Sequence, residues 1–219
     1  YDLMGAEAHM RAGWKTRRGQ QSHMLKGKTV GLIGFGQISR AVAERLAPWQ
    51  CTLQTYAPRV RSAWPSYVAR VELEELLETS DVICVLASLN TDTRHMLNAE
   101  TLRMTKKGAV LINTARGPIV DQKALTKVLQ EKRIAGAGLD VFEVEPVPVD
   151  DPILKLDNAI LAPHALCWTD QCFAGNGAAD IRAALDIQKG LQPRGVVNRA
   201  VLDSAAFKAK LADYAQRFG

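Results

Sequence analysis

Six residues, Gly34-Phe35-Gly36-Gln37-Ile38-Ser39, have the types and spacing to bind a dinucleotide. Gly34 permits a tight turn, and Gly36 lets the backbone approach a pyrophosphate. The phosphates would then meet amide groups near Gln37 and Ile38 at a helix N-terminus. Serine stands at the position of the usual third glycine and is small enough for close helix–strand packing. Such a pattern can also be a plain glycine turn; a strand before it and a helix after it make it a nucleotide fingerprint. Further along lie Asn113-Thr114-Ala115-Arg116-Gly117, the stretch Gly138–Pro146 with Asp140 and Glu145, and Ala162-Pro163-His164. An arginine fork can grip a carboxylate, and a histidine can exchange a proton near neutral pH.

The elements that would position these groups are legible from Thr29 onward. Short apolar runs alternate with helical patterns, as in βαβ units of a parallel sheet. The predicted strands are Thr29–Gly34, Thr52–Tyr56, Val82–Leu86, Ala109–Asn113, Ala135–Leu139 and Ala159–Leu161. Their continuously apolar character predicts strands covered on both faces. Helices are predicted over Gln37–Ala47, Leu73–Glu78, Ala99–Met104 and Gln122–Glu131, the last with Asp121 as N-cap. A helix is also expected over Tyr1–Gly13, a polar irregular stretch over Trp14–Lys26, and helices over Thr169–Lys189 and Ser204–Phe218. The fingerprint thus follows a strand and opens a helix. The three later motifs fall at strand ends, where α/β sheets bind ligands.

The second strand of a dinucleotide fold commonly ends in an acid that grips the adenosine ribose. Here Leu53-Gln54-Thr55-Tyr56-Ala57-Pro58-Arg59 holds none, and Ala57 occupies the expected position. An absent carboxylate removes repulsion of a 2′-phosphate, and Arg59 or Arg61 could bind one. NADP(H) is therefore slightly favoured over NAD(H), the alternative being that both arginines are solvated surface residues.

Taken together, these motifs closely resemble the D-isomer-specific 2-hydroxyacid dehydrogenase family, including its phosphoglycerate dehydrogenases and glyoxylate/hydroxypyruvate reductases. The resemblance extends through Thr93-Arg94-His95 and residues 106–121, over nearly the whole chain. It implies a Rossmann-type doubly wound α/β sheet and hydride transfer between NAD(P)H and a small 2-oxoacid or D-2-hydroxyacid. It implies Arg116 as the substrate-binding arginine, His164 as the acid–base residue and Glu145 as its carboxylate partner. Thr93, Thr114, Ala115 and Asp140 would join Gly34, Gly36, Gln37, Ile38 and Arg59 at the cofactor, with Asp140 on the nicotinamide carboxamide. The chemistry of the residues agrees: His164 can protonate a ketone oxygen and take the proton back in reverse. A buried Glu145 beside it would favour the imidazolium.

The sequence departs from the family pattern at Ala165-Leu166-Cys167-Trp168, where many relatives carry glycine or small residues, and at Ser88, where many carry proline. The resemblance divides the chain into a helix and basic arm over 1–28, a cofactor domain over 29–166, and a helical segment over 167–219 belonging to a second, substrate-binding domain. Most of that second domain is expected to lie outside this chain, which begins with Tyr1. The resemblance implies a homodimer built mainly through the cofactor domain and the arm Tyr1–Lys26. A non-catalytic NAD(P)(H)-sensing scaffold or corepressor-like protein, or an inactive fragment, is the alternative to the enzyme.

Composition narrows the remaining classes. The chain has 219 residues, 47% hydrophobic and 23% charged, as an ordinary globular protein does. No uncharged apolar run approaches the roughly 18–20 residues of a membrane-spanning helix, and the N-terminus lacks a signal-peptide core. The net charge is +5, and residues 1–28 hold six basic residues against two acidic ones, so the body is nearly neutral. That basic arm carries no interleaved aromatics or nucleic-acid module, so a solvated face is the reading and nucleic acid is not an expected partner. Cys51, Cys84, Cys167 and Cys172 form no CxxC pair, which fits reduced thiols and a cytoplasmic protein. A Cys–His nucleophile or a zinc site of His164, Cys167 and Cys172 lacks its further partners, so no metal is expected. His9, His23 and His95 carry no constellation.

Overall fold

The computed structural model describes residues 3–14, 22–59 and 64–218, the side chains of Leu3 and Met4 excepted. Arg61 and much of the basic arm, including Lys15, Arg17 and Arg18, lie outside the described residues. The chain forms two compact units, Tyr1–His164 and Ala165–Gly219.

In chain order the first unit contains α1 (Leu3–Arg11), β1 (Thr29–Ile33), α2 (Gln37–Leu46), β2 (Thr52–Tyr56) and β3 (Val68–Arg70). It continues with α3 (Leu73–Thr79), β4 (Val82–Val85), α4 (Ala99–Met104), β5 (Val110–Asn113), α5 (Gln122–Gln130), β6 (Gly136–Leu139) and β7 (Ala159–Leu161). The seven strands form one sheet in the order β3-β2-β1-β4-β5-β6-β7, every neighbouring pair parallel. This is the doubly wound α/β architecture, and the expected elements sit within a residue or two of their places. Strand β3 was not foreseen: Val-Ala-Arg, just after Pro65, is too short to show a pattern.

Each helix is placed by its ends and its apolar stripe. Asn98 caps α4 by accepting from the N–H groups of Glu100 and Thr101 at 2.9 and 3.2 Å, and Asp121 caps α5 through Ala124 N–H at 2.9 Å. Helices α3, α4 and α5 bring Leu76, Leu77, Leu102, Leu125 and Leu129 against Ile33, Ile83, Val85 and Leu111 of the sheet. Helix α2 brings Ala43 to a second cluster with Val30, Leu32, Leu53 and Val68.

Among the described residues, coverage of both faces does not extend along the whole sheet. On β4 and β5, buried Ile83, Val85, Leu111 and Asn113 alternate with half-buried Val82, Cys84, Val110 and Ile112. The latter four border a groove of about 890 Å³ with Lys28, Asp81 and Lys106 at its rim. A continuous apolar run cannot distinguish two covered faces from one covered and one half-open.

Register fixes where the strands end together. Ile33 pairs with Tyr56 and Val85, Val85 with Asn113, Asn113 with Leu139, and Leu139 with Leu161. The residues that leave these strands, Gly34, Ala57, Thr114, Asp140 and Ala162, therefore emerge along one edge. The sheet order reverses between β1 and β4, the crevice where open α/β sheets take ligands.

The second unit holds α6 (Asp170–Gln188) and α7 (Ala205–Phe218). Thr169 caps α6, accepting from Cys172 N–H at 3.1 Å, and the helix runs unbroken through Gly175 and Gly177. No residue of either helix is buried.

Candidate functional site

Beyond β1 the chain turns at Gly34, whose φ of +92° a side chain would resist. A Cβ there would lie 2.8 Å from Ala87 Cα, so the turn is pressed against the exit of β4. Gly36 differs: a Cβ on it would meet nothing within 4 Å, so its backbone faces open space. It also offers no side-chain acceptor to the first N–H groups of α2, which suits an anion there. Both glycines line a cleft of about 330 Å³ together with Ala57, Arg59, Ser88 and Thr93. An open glycine cradle at the sheet's switch point fits a dinucleotide pyrophosphate. Gln37 and Ile38 are exposed on the first turn of α2, beyond the lining of that cleft.

One end of the cleft is lined by Ala57, Pro58 and Arg59, which follow β2. Ala57 is buried at the predicted acid position. Arg59 is exposed and ion paired with Asp92 on the opposite lip. The ring of Trp64 stacks on Phe35 of the glycine turn at 4.6 Å, with the Arg40 guanidinium 4.7 Å from the Phe35 ring centre. Ser39 is fully buried as the packing argument requires, yet its hydroxyl has no hydrogen-bond partner among the described residues.

Farther along the same edge, Asn113 shapes the turn that displays Arg116. Its side-chain oxygen accepts from Ala115 N–H and its amide donates to Arg116 O, both at 3.1 Å. Thr114 and Arg116 are exposed, and Ala115 is half-buried. Gly117 then packs flat against the next loop, where a Cβ would fall 1.8 Å from Phe142 O. Asp140 leaves β6 buried, its N–H donating to Asn113 O at 3.0 Å.

Glu145 and His164 meet beyond these loops. Glu145 Oε2 lies 2.7 Å from His164 Nδ1, and Oε1 accepts from Phe142 N–H at 2.9 Å. The hydrogen bond from His164 holds the Glu145 carboxyl below its ordinary value. Partial desolvation opposes this, while Phe142 N–H and the charges of His164 and Arg116 add to it. Arg116 is thus electrostatically part of the same group. With Nδ1 engaged, Nε2 of His164 is the nitrogen left for proton exchange. His164 adopts φ +54°, the left-handed region. The pair borders a cleft of about 610 Å³ walled by Phe142, Val147, Leu154 and Leu161. One expectation needs correction: Glu145 is 37% exposed rather than buried, because its turn projects past the end of the sheet.

Other contributors carried no sequence signal. His95 Nε2 lies 2.5 Å from Glu143 Oε1, and Glu143 Oε2 accepts from Gln122 N–H at 2.9 Å. Gln122 Oε1 accepts in turn from Glu143 N–H at 3.1 Å. His95 N–H also donates to Pro118 O at 2.8 Å, so the segment bearing Arg116 is held from two sides. Only a view of all three loops together reveals this staple. Among the described residues no His, Cys, Asp and Glu side chains gather as a metal cluster.

Comparison with known proteins gives this geometry its family. The glyoxylate reductase of Thermofilum pendens is 42% identical over 181 residues, covering 81% of this chain and 53% of that protein. An acyclic imino acid reductase in complex with NADPH and D-Arg superposes with a TM-score of 0.81 at 31% identity, over 89% of this chain and 62% of the other. A D-lactate dehydrogenase with NAD+ from Lactobacillus jensenii gives the same TM-score at 26% identity, over 90% and 64%. The chain spans about half the length of curated relatives that it matches. The model for the D-isomer specific 2-hydroxyacid dehydrogenase NAD binding domain matches residues 2–165. The chain belongs to that family, and residues 2–165 are its NAD-binding domain.

Proposed function

We propose that this chain supplies the cofactor-binding and acid–base part of an NAD(P)H-dependent reductase of small 2-oxoacids. The observation that carries the reading is the Glu145–His164 pair with Arg116 within its electrostatic reach. Glyoxylate-sized acids are the favoured substrate class, since the curated relatives are glyoxylate reductases. Gly34 and Gly36 would hold the phosphates of a reduced nicotinamide cofactor, which would supply the hydride when bound. Arg116 holds the substrate carboxylate and neighbouring carbonyl with its planar fork. His164 gives a proton from Nε2 to the carbonyl oxygen and recovers it in the reverse direction. Glu145 fixes the ring through Nδ1 and stabilises the imidazolium. Phe142, Val147 and Leu154 limit water beside the reacting carbonyl.

Ala57 and Arg59 favour NADP(H) over NAD(H), and the homodimer through residues 1–28 belongs to the same reading. The test is glyoxylate reduction with each nucleotide, beside direct binding titrations. Turnover that His164→Ala abolishes, with cofactor affinity retained, is the expected result. Tight cofactor binding without turnover on any 2-oxoacid would favour the nucleotide-sensing class or an inactive fragment instead.

A further inference from the structure

Arg59 and Asp92 face each other across one end of the cleft. One lies on the turn after β2 and the other on the turn after β4, and their side chains form an ion pair. Both line the cleft, with Ala57, Pro58, Asn90 and Thr93 between them.

The carboxylate is the better anchored partner. Asn90 Oδ1 accepts from the N–H groups of Asp92 and Thr93 at 2.9 and 3.2 Å. The Thr93 hydroxyl donates to Ser88 O at 2.8 Å, and the Thr91 hydroxyl donates to Asp92 Oδ1 at 3.3 Å. This self-bonded turn presents Asp92 as a fixed negative charge at the cleft mouth. The ion pair itself is solvent-screened, Arg59 being 69% and Asp92 59% exposed, so it competes only weakly with a better ligand.

A nucleotide with a 2′-phosphate brings a dianion to this mouth. Arg59 must then divide its donors between phosphate and Asp92, and Asp92 becomes a like charge beside the phosphate. A nucleotide with free ribose hydroxyls brings no such charge and leaves the ion pair intact. We propose that Asp92 is a cofactor-discriminating residue of this cleft, weakening NADP(H) relative to NAD(H) by competing with the 2′-phosphate for Arg59. The inference rests on Arg59 being the phosphate ligand.

The experiment is a set of equilibrium titrations with NADPH and with NADH, read by cofactor fluorescence. It uses the 219-residue chain and its Asp92→Asn, Arg59→Ala and doubly substituted forms. Asp92→Asn should tighten NADPH by about fivefold, the upper range for an exposed pair, and leave NADH unchanged. Most of the gain should be lost when Arg59 is also alanine, leaving only the direct repulsion between carboxylate and phosphate. If Arg59→Ala weakens NADPH but Asp92→Asn has no effect, the role of Asp92 is overturned and that of Arg59 stands. If Arg59→Ala changes nothing, the phosphate ligand itself is misassigned and both fall. Weaker NADH binding by Asp92→Asn would overturn the proposal by making Asp92 a ribose ligand. A folded chain that binds neither nucleotide overturns the proposal with the site. Both side chains are exposed, so circular dichroism should show every variant folded.

Discussion

Glu145 uses its two carboxylate oxygens on two different loops: one lies 2.7 Å from His164 Nδ1 and the other accepts from Phe142 N–H at 2.9 Å. The carboxylate therefore orients the imidazole and closes its own turn at once. Because its folded pKa is lowered, Glu145 adds stability at pH values above its unfolded pKa and loses that contribution as pH falls through the folded one. The side chain is more than a third exposed, so the contribution should stay below about 1 kcal/mol. Urea unfolding of wild type and Glu145→Gln should show a gap at neutral pH that closes on acidification through the carboxylate range. A gap independent of pH would sink the ionic account of this pair.

A second pH-linked contribution lies at the opposite end of the sheet. Asp81 accepts from Thr29 N–H at 2.9 Å and from Lys106 Nζ at 2.8 Å, with Lys28 Nζ at 3.6 Å. Burial pushes its carboxyl up, but Lys106, Thr29 and Lys28 together outweigh burial and lower it. The sign is the same as for Glu145: the stabilisation is present above the unfolded pKa and is lost as pH falls through the folded one. Asp81→Asn keeps the shape and removes the charge, and should cost about 1–2 kcal/mol at neutral pH. Denaturation midpoints across the acid range should converge with wild type, and cofactor affinity should not change.

Ser39 tests the fingerprint itself. Its hydroxyl is buried and finds no acceptor or donor among the described residues, so alanine should be better there by about 1 kcal/mol. Ser39→Gly, which restores the usual glycine, should lose most of that gain through the helix-interior penalty of about 1 kcal/mol. Guanidinium midpoints of the two variants separate these effects. Equal stability of Ser39→Ala and wild type would mean that the hydroxyl is satisfied after all.

The sheet was legible because its strands are short apolar runs separated by amphipathic helices, and run length, β-branched content and regular alternation carry that information. Glycines 34 and 36 were legible from their fixed offset between strand and helix; Gly34 is required by its positive-φ turn, whereas Gly36 leaves open space for a phosphate. Arg116, Glu145 and His164 could be named from motifs, but their meeting depends on strand register, which brings Asn113, Leu139 and Leu161 level. His95 and Glu143 stayed invisible because their pairing joins loops 48 positions apart and has no local pattern. The half-open face over β4 and β5 was hidden for another reason: Val82, Cys84, Val110 and Ile112 are apolar whether covered or not.

The turn that presents Arg116 yields the sharpest mutational test. Asn113 is buried, and both ends of its amide are used to hold that turn. Asn113→Ala leaves Ala115 N–H without its partner and removes one of two donors from Arg116 O, which keeps Ile119 N–H at 3.3 Å, and should cost about 1–3 kcal/mol. Gly117 next to it has no room at all: an added methyl would overlap the Phe142 carbonyl at 1.8 Å, backbone against backbone. Gly117→Ala should therefore push the Arg116 loop from the Glu145 loop and cost about 3 kcal/mol. Arg116→Ala, which changes only an exposed side chain, should leave stability within about 0.5 kcal/mol. Thermal unfolding ranks the three, and binding of a 2-oxoacid analogue to the cofactor-loaded chain reads the site. All three should lose the analogue, but only the first two should lose stability. If Gly117→Ala kept both stability and binding, the close packing of these two loops would be disproved.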